Sequence, residues 1–348
     1  MAYSAIDKAT SFAESKIYTG TGSSQTITGL GFEPDFTWIK CRGQGYGNRL
    51  FNTVQGATVY TQSNATSTGT DANSLSAWTS DGFTVISALE TNANTEKYVS
   101  WNWKAGTTSG IAGSPSITPA GYTFNATSGF SVLKWAGTGS NGTLPHGLGV
   151  APQMIIVKRL EGSNWICGHE SLGWTKSIIF NEAEQVVTNT RWQDTSPTST
   201  LFYVDDDTTV NASGSNYSAY VWAGVKGYSR MGSYQGNGDS DGPFVYTGFR
   251  PSFVMIKCYD ANVNWTNRDN ARDIFNPGYN YIYPNLNNAG TNITIAAGMT
   301  GSYPVDFYAT GFKINNTDDK LNTSGDHYIY AAFGQTIVGT NGVVGTAR

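Results

Sequence analysis

The stretch GLGFEPDFTWIKCR, Gly29 to Arg42, returns twice in altered form, as GLGVAPQMIIVKRL from Gly147 and GFRPSFVMIKCYD from Gly248. Each is a glycine turn, a proline, and an apolar run that reaches a lysine six residues after the proline, at Lys40, Lys158 and Lys257. Proline presets φ and has no amide hydrogen for a ladder, so it suits the first position of a strand. The runs FTWIK, MIIVK and FVMIK carry no polar alternation, which predicts a strand covered on both faces, by its own unit and by a neighbouring one. Lysine is expected to mark the return to water. Three matches in register point to an internal repeat and make the motif a folding signal.

Other fixed offsets extend the match. An aromatic followed by Gly-x-Gly precedes each proline by 16 or 17 residues: Tyr18 with Gly20 and Gly22, Trp135 with Gly137 and Gly139, Tyr234 with Gly236 and Gly238. Downstream, Asn164-Trp165 and Asn264-Trp265 open a further strand, where the first copy has Asn48-Arg49-Leu50. Near the end of each copy an asparagine precedes a tyrosine by six, and a large aromatic follows five later: Asn92, Tyr98, Trp103; Asn211, Tyr217, Trp222; Asn322, Tyr328, Phe333. The recurring aromatics read as core anchors. These offsets predict an all-β chain of three tandem β-sandwich or jelly-roll-like repeats of about 95 residues with a short N-terminal arm. The expected boundaries are an arm at 1–15, repeats at 16–106, 131–226 and 227–335, a Gly/Ser/Thr/Pro-rich linker at 107–130 and a tail at 336–348.

Composition agrees with an all-β reading. The 348 residues include 41 glycines, 13% aromatics and only 13% charged residues, against about 25% charged in an average globular protein. A formal net charge of -4 without any basic run leaves no footprint for nucleic acid and no polybasic surface for a membrane. No stretch approaches the roughly 20 apolar residues of a spanning helix, so membrane insertion is not expected. The N-terminal MAYSAIDKATSFAESK lacks the pattern of a secretory signal peptide. Three cysteines cannot build a disulfide framework; all are expected as reduced thiols.

Catalytic and metal chemistry find little support. Cys167 and His169 are two residues apart, but no second pair stands at metal spacing and no oxyanion loop accompanies them. Asp205 to Asp207 and Asp318-Asp319 are oxygen-rich enough for calcium, yet hairpin turns favour Asp for backbone reasons. Glu170 with Glu182 or Glu184, and Glu90 with Glu96, do not recur across the copies as a glycosidase pair would. No cofactor, metal or catalytic residue is therefore expected, and the chain is read as a non-enzyme.

Aromatics lacking a counterpart in the other copies are the candidates for surface recognition: Tyr46, Trp174, Trp192, Tyr279, Tyr281 and Tyr283, since flat rings beside Asn and Gln suit sugars and protein partners. The alternative is that they cover a sandwich edge or pack between repeats. At the N-terminus, Ser4 as a cap with Asp7 three residues on, and Ile6, Ala9 and Phe12 or Ala13 on one face, predict a short amphipathic helix. Ile6 and Phe12 are expected to dock this arm onto a neighbour in an assembly.

Together GLGVAPQMIIVKR from Gly147, the long segment from Val210 through GSYQGNGDSDGPFVYTGFRPSFVMIK, and LNTSGDHYIYAAF from Leu321 resemble a repeat family of tailed bacteriophages, notably marine and cyanobacterial ones. The resemblance is strong over 130–335 and looser over 16–106, where the Asn-Trp step and acidic turn are missing. It implies a virion structural protein, assembled in host cytoplasm, present in many copies or as a homo-oligomer, and partnered by other tail or capsid proteins. Two roles follow: a tail fibre or tip adhesin presenting aromatic loops to host-surface glycans, or a capsid decoration (cement) protein stabilising the head.

Overall fold

Antiparallel sheets account for nearly all the regular structure of the computed structural model, which describes residues 4–290 and 303–335. Three larger sheets each place the closing strand between the Gly-x-Gly strand and the proline strand. The first runs Ala13–Thr19, Lys97–Trp103, Phe36–Cys41, Arg49–Asn52, Val59–Thr61, Thr68–Thr70. The second runs Gly121–Asn125, Phe130–Ala136, Asn216–Trp222, Met154–Arg159, Trp165–His169, Lys176–Ile179, Val187–Thr188. The third runs Ser229–Gln235, His327–Gln335, Arg250–Cys258, Thr266–Asp269. A smaller sheet belongs with each: Gln25–Thr28, Gly82–Val85 and Leu75–Thr79; Gly142–Pro145 with Leu201–Val204; and Phe244–Tyr246, Gly311–Ile314 and Val305–Tyr308. No helix among the described residues is long and apolar enough to cross a membrane.

Period-two alternation decides what each face of the proline strand buries. Ile39 and Cys41, Ile155 and Val157, and Val254, Ile256 and Cys258 enter three separate clusters, one for each group of sheets. Their neighbours Phe36 and Trp38, Met154 and Ile156, and Phe253 and Met255 enter one common cluster that draws on all three groups. Closing-strand aromatics meet there too: Trp103 lies 6.2 Å from Trp222 and 5.5 Å from Phe333, both edge to face. The uninterrupted apolar runs thus have cover on both sides, and the three groups share a core.

The Gly-x-Gly, asparagine and tyrosine positions build the same turn three times. Asn92, Asn211 and Asn322 are fully buried. Their side-chain oxygens accept the backbone N–H of Thr21, Thr138 and Asn237, and their amides donate to the carbonyls of Ser23, Ser140 and Asp239. The hydroxyls of Tyr98, Tyr217 and Tyr328 accept from the N–H of Ala93, Ala212 and Thr323 and donate to Leu89, Thr208 and Asp319. Each tyrosine stacks on the aromatic before the Gly-x-Gly, at 5.1, 5.3 and 4.9 Å. A Cβ at the first glycine would lie about 2 Å from a backbone oxygen (2.1 Å for Gly20 and Gly137, 2.2 Å for Gly236), and the second glycine has φ near +70°, so neither position accepts another residue without strain.

The three lysines do not return to water. Lys40, Lys158 and Lys257 are fully buried, and each ammonium donates to three backbone carbonyls, two of its own group and one of another. Lys158 reaches Arg159 and Ser163 at 2.6 and 2.9 Å and Thr66 of the first group at 2.8 Å. Lys257 reaches Val263 and Ala261 and, at 3.0 Å, Ala183 of the second group. Lys40 reaches Tyr46 and Gln44 and, at 3.3 Å, Asn287 of the third. The contacts therefore run in a closed ring. The Trp165 indole opposite Lys158 and the Trp265 indole repeat the crossing, donating to Gln62 and Ile179. In the first group Asn48 substitutes, its amide donating to Pro284 and Leu286. Burial pushes all three lysines down to about 8.

Two further expectations are corrected. The N-terminal arm contains only a three-residue helical turn, Ala9–Ser11. Ile6 and Ala9 are spent in the shared core, where Phe12 meets Tyr228 at 6.4 Å. Ser4 Oγ accepts the Ile6 N–H, and the Ala9 N–H is taken by Gln335 at 2.8 Å. Ile6 and Phe12 thus dock onto their own chain. The segment expected as a linker is part of the second group: Gly121–Asn125 is its edge strand, Ile117 is buried in its core, and Ser116 pairs with Thr143. The expected tail, 336–348, lies outside the described residues.

Candidate binding surface

In the third group's small sheet, Val245, Val305, Phe307, Phe312 and Ile314 point inward, which leaves Phe244, Tyr246, Asp306, Tyr308 and Lys313 on the outer face. In register, Tyr246 and Tyr308 flank Gly311, while Phe244 and Asp306 flank Lys313. Gly311 is required because a Cβ there would lie 2.1 Å from the Val245 carbonyl oxygen; it would also lie 2.9 Å from Phe244 Cζ, so the phenyl ring reaches over the glycine. The Phe244 and Tyr308 rings meet at 6.0 Å and 70°, a floor and a wall. All three aromatics are strongly exposed, Phe244 at 48%, Tyr246 at 54% and Tyr308 at 43%.

Charges around this face are balanced. Lys313 is ion-paired with Asp241, and Arg230 Nη1 donates to the Tyr246 carbonyl at 3.0 Å. The Asp306 carboxylate accepts from the Gly278 N–H and from Asn315, and burial pushes it above the usual carboxylate range. At the outer edge of the sheet Asn276 exchanges two hydrogen bonds with the Phe307 backbone. The exposed Ile274 and Phe275 lie just before it.

The corresponding grid in the first group has other side chains. There Thr28 and Thr79 flank Gly82, and Thr26 and Ala77 flank Thr84. Gly82 is fixed for the same reason, a Cβ falling 1.9 Å from the Ile27 carbonyl oxygen. In the second group the chain around Ser116 runs alongside Thr143. The first and third groups therefore require the glycine, where the second has Leu201 opposite Pro145, and the aromatics around it belong to the third group alone.

The sequence-predicted recognition residues are elsewhere and mostly inside. Trp174 and Trp192 are buried and perpendicular at 5.7 Å; they close over Gly168, where a Cβ would lie less than 3 Å from both rings. Tyr281 is buried beneath the Arg268 guanidinium, 5.1 Å from its ring, with the Tyr283 hydroxyl 3.4 Å from its own. Tyr46, Tyr279 and Tyr283 are half-buried. Lacking a counterpart marked side chains that fill gaps peculiar to one group, which is a different property from exposure. Phe244, Tyr246 and Tyr308 also lack an aromatic counterpart, so the criterion does not separate them from the buried set. Their signal was local: in Phe244–Tyr246 two aromatics flank one buried valine with period two.

Groups considered for chemistry have structural partners. Burial pushes the Cys167 thiol up and His169 down to about 4, so neither a thiolate nor an imidazolium exists there at neutral pH. His169 bonds the Tyr330 carbonyl at 3.2 Å. Asp205 and Asp207 accept from Thr190 and Thr209, Asp318 pairs with Lys320 at 3.0 Å, and Glu90 is held by Arg49. Among the described residues no three or more His, Cys, Asp or Glu side chains are grouped to hold a metal. A cleft of about 740 Å³ between the first group and the 104–123 segment is lined by Glu33, Lys104, Tyr122 and several threonines. The buried Asp35 carboxylate in its wall is satisfied by Thr53, Ala105 and Thr123.

Fold and surface define an all-β protein with a shared core and an exposed aromatic face. The chain belongs to a family described as a domain of unknown function, DUF7483, whose model matches residues 8–336. That span takes in all three groups of sheets. No curated protein and no solved structure matches the chain.

Proposed function

We infer that this chain is a non-enzymatic structural protein of a tailed-phage particle, built from three copies of one β-sandwich unit and exposed on the virion as a tail fibre or tip-type adhesin. The observation that carries the reading is the outward face of Phe244, Tyr246 and Tyr308. Aromatic rings that the fold leaves optional, exposed together on a flat sheet, cost solubility unless something covers them. Sequence resemblance supplies the particle, and the face supplies the contact, with a host-surface glycan as its partner. A capsid decoration protein would need an arm that clamps a neighbour, and Ile6 and Phe12 are used within the chain instead, which favours the adhesin.

Gold-tagged antibody against this chain, imaged on intact particles, tests the reading. Label confined to the tail end is expected. Label spread over the head would replace adhesion with decoration, and particles without label would remove the virion assignment.

A further inference from the structure

We propose that the ligand of this face is a neutral hexopyranose, stacked on the Phe244 ring and braced against Tyr308 above Gly311; the proposal rests on the adhesin reading and names what the face binds. A pyranose presents a patch of C–H groups on one side and hydroxyls around its edge. The C–H patch matches the floor and wall set by two rings 6.0 Å apart at 70°. Gly311 carries no side chain, so the Phe244 ring lies over it, between Tyr246 and Tyr308, which stand about 10 Å apart at two strand spacings. Hydroxyls at the ring edge are within reach of the neighbouring polar row, Lys313 and Asp306.

Charge selects the class of sugar. Lys313 is ion-paired with Asp241 and lies in register beside Asp306, and Arg230 donates to the Tyr246 carbonyl, so these two cations stand with two carboxylates. No net positive charge is left for a carboxylate or sulfate, so acidic sugars gain nothing and lose solvation. One ring on an open platform binds weakly, with a dissociation constant of about 1–10 mM; useful avidity would come from many copies on one particle.

The test is saturation-transfer NMR on the full chain with methyl glycosides of glucose, galactose, mannose and N-acetylglucosamine, and with glucuronic acid as the charged probe. Transfer to the ring C–H protons of at least one neutral glycoside is expected, reduced at least fivefold in Phe244→Ala and Tyr308→Ala and unchanged in Thr79→Ala, the corresponding position in the first group. Transfer that survives both aromatic substitutions, is absent for every neutral probe, or is stronger for glucuronic acid would overturn the proposal. Particle adsorption with Tyr308→Ala separates this from the adhesin reading. Lost adsorption without sugar binding would refute the sugar and keep the contact, whereas sugar binding with intact adsorption would keep the sugar site and refute its role in adhesion.

Discussion

Replacing Lys158 with methionine removes one link of the ring that joins the three groups of sheets. The ammonium donates to the carbonyls of Arg159, Ser163 and Thr66 at 2.6 to 2.9 Å, inside the protein. Hydrogen bonds from a charged donor contribute roughly 1.5–3 kcal/mol each, and their loss leaves three acceptors without that partner. Against this, methionine spares the desolvation that lowers the lysine from 10.5 to about 8, which returns about 3 kcal/mol at 1.36 kcal/mol per unit. The balance is a net loss of about 3 kcal/mol. For 348 residues, with an unfolding entropy near 2 cal/mol/K per residue, that lowers Tm by about 4 °C. Scanning calorimetry at pH 7 measures it directly. The pH profile supplies a second readout. An amine that titrates near 8 when folded and 10.5 when unfolded leaves the unfolded chain holding the extra proton between those values, so wild-type stability climbs across that window. Lys158→Met should lose one of three similar contributions to that climb. A Tm change under 1 °C with an unaltered pH profile would refute the carbonyl cage as an energetic link.

Trp222→Ala should cost about 3–5 kcal/mol, as expected for a large buried aromatic, because the indole packs against Phe130 at 5.3 Å and Trp103 at 6.2 Å in the shared core; a urea-denaturation loss below about 1 kcal/mol would contradict the core placement. Glu14 is raised to about 7, chiefly by burial, so the folded chain holds its proton more tightly than the unfolded chain and stability should fall as pH rises from 4.5 to 7. Glu14→Gln should therefore stabilise by about 1–2 kcal/mol at pH 8, after allowing for partial solvent screening, and change little at pH 4. Equal effects at both pH values would show that ionisation of Glu14 is not the cause.

Local rules made the all-β class readable, because glycine turns, strand-opening prolines and the fixed asparagine–tyrosine spacing each act within a few residues. The apolar proline strands even announced cover on both faces. What could not be read was the partner of a group whose neighbours come from far along the chain. Charge alone predicts that Lys158 faces water, but the Thr66 carbonyl that receives it is 92 residues away. Ser4 does turn back to bond the Ile6 N–H, yet no longer helix follows, since Ile6 and Ala9 are drawn into a core formed by all three groups. The site residues were misjudged for a related reason. Trp174 and Trp192 are peculiar to the second group because they fill its interior, whereas exposure of Phe244 and Tyr308 is set by which face of a short sheet lies outward.

This arrangement separates the residues that hold the fold from those that can meet a partner. On the Phe244–Tyr246, Gly311–Ile314 and Val305–Tyr308 sheet, inward and outward positions alternate strictly, so no residue serves both purposes. The glycine at the centre is fixed by the approach of a neighbouring carbonyl, at Gly311 as at Gly82, and the positions around it carry aromatics in one group and threonines in another. A shared core then gives the outward face a firm base: Phe253, Met255 and Phe333 of the third group are buried together with Trp101, Trp103 and Trp222 of the other two. Changing the outer grid should alter what the surface binds while leaving the core intact, whereas changing a core aromatic should weaken all three groups at once. A contact surface on this scaffold can therefore vary without the scaffold having to refold around it.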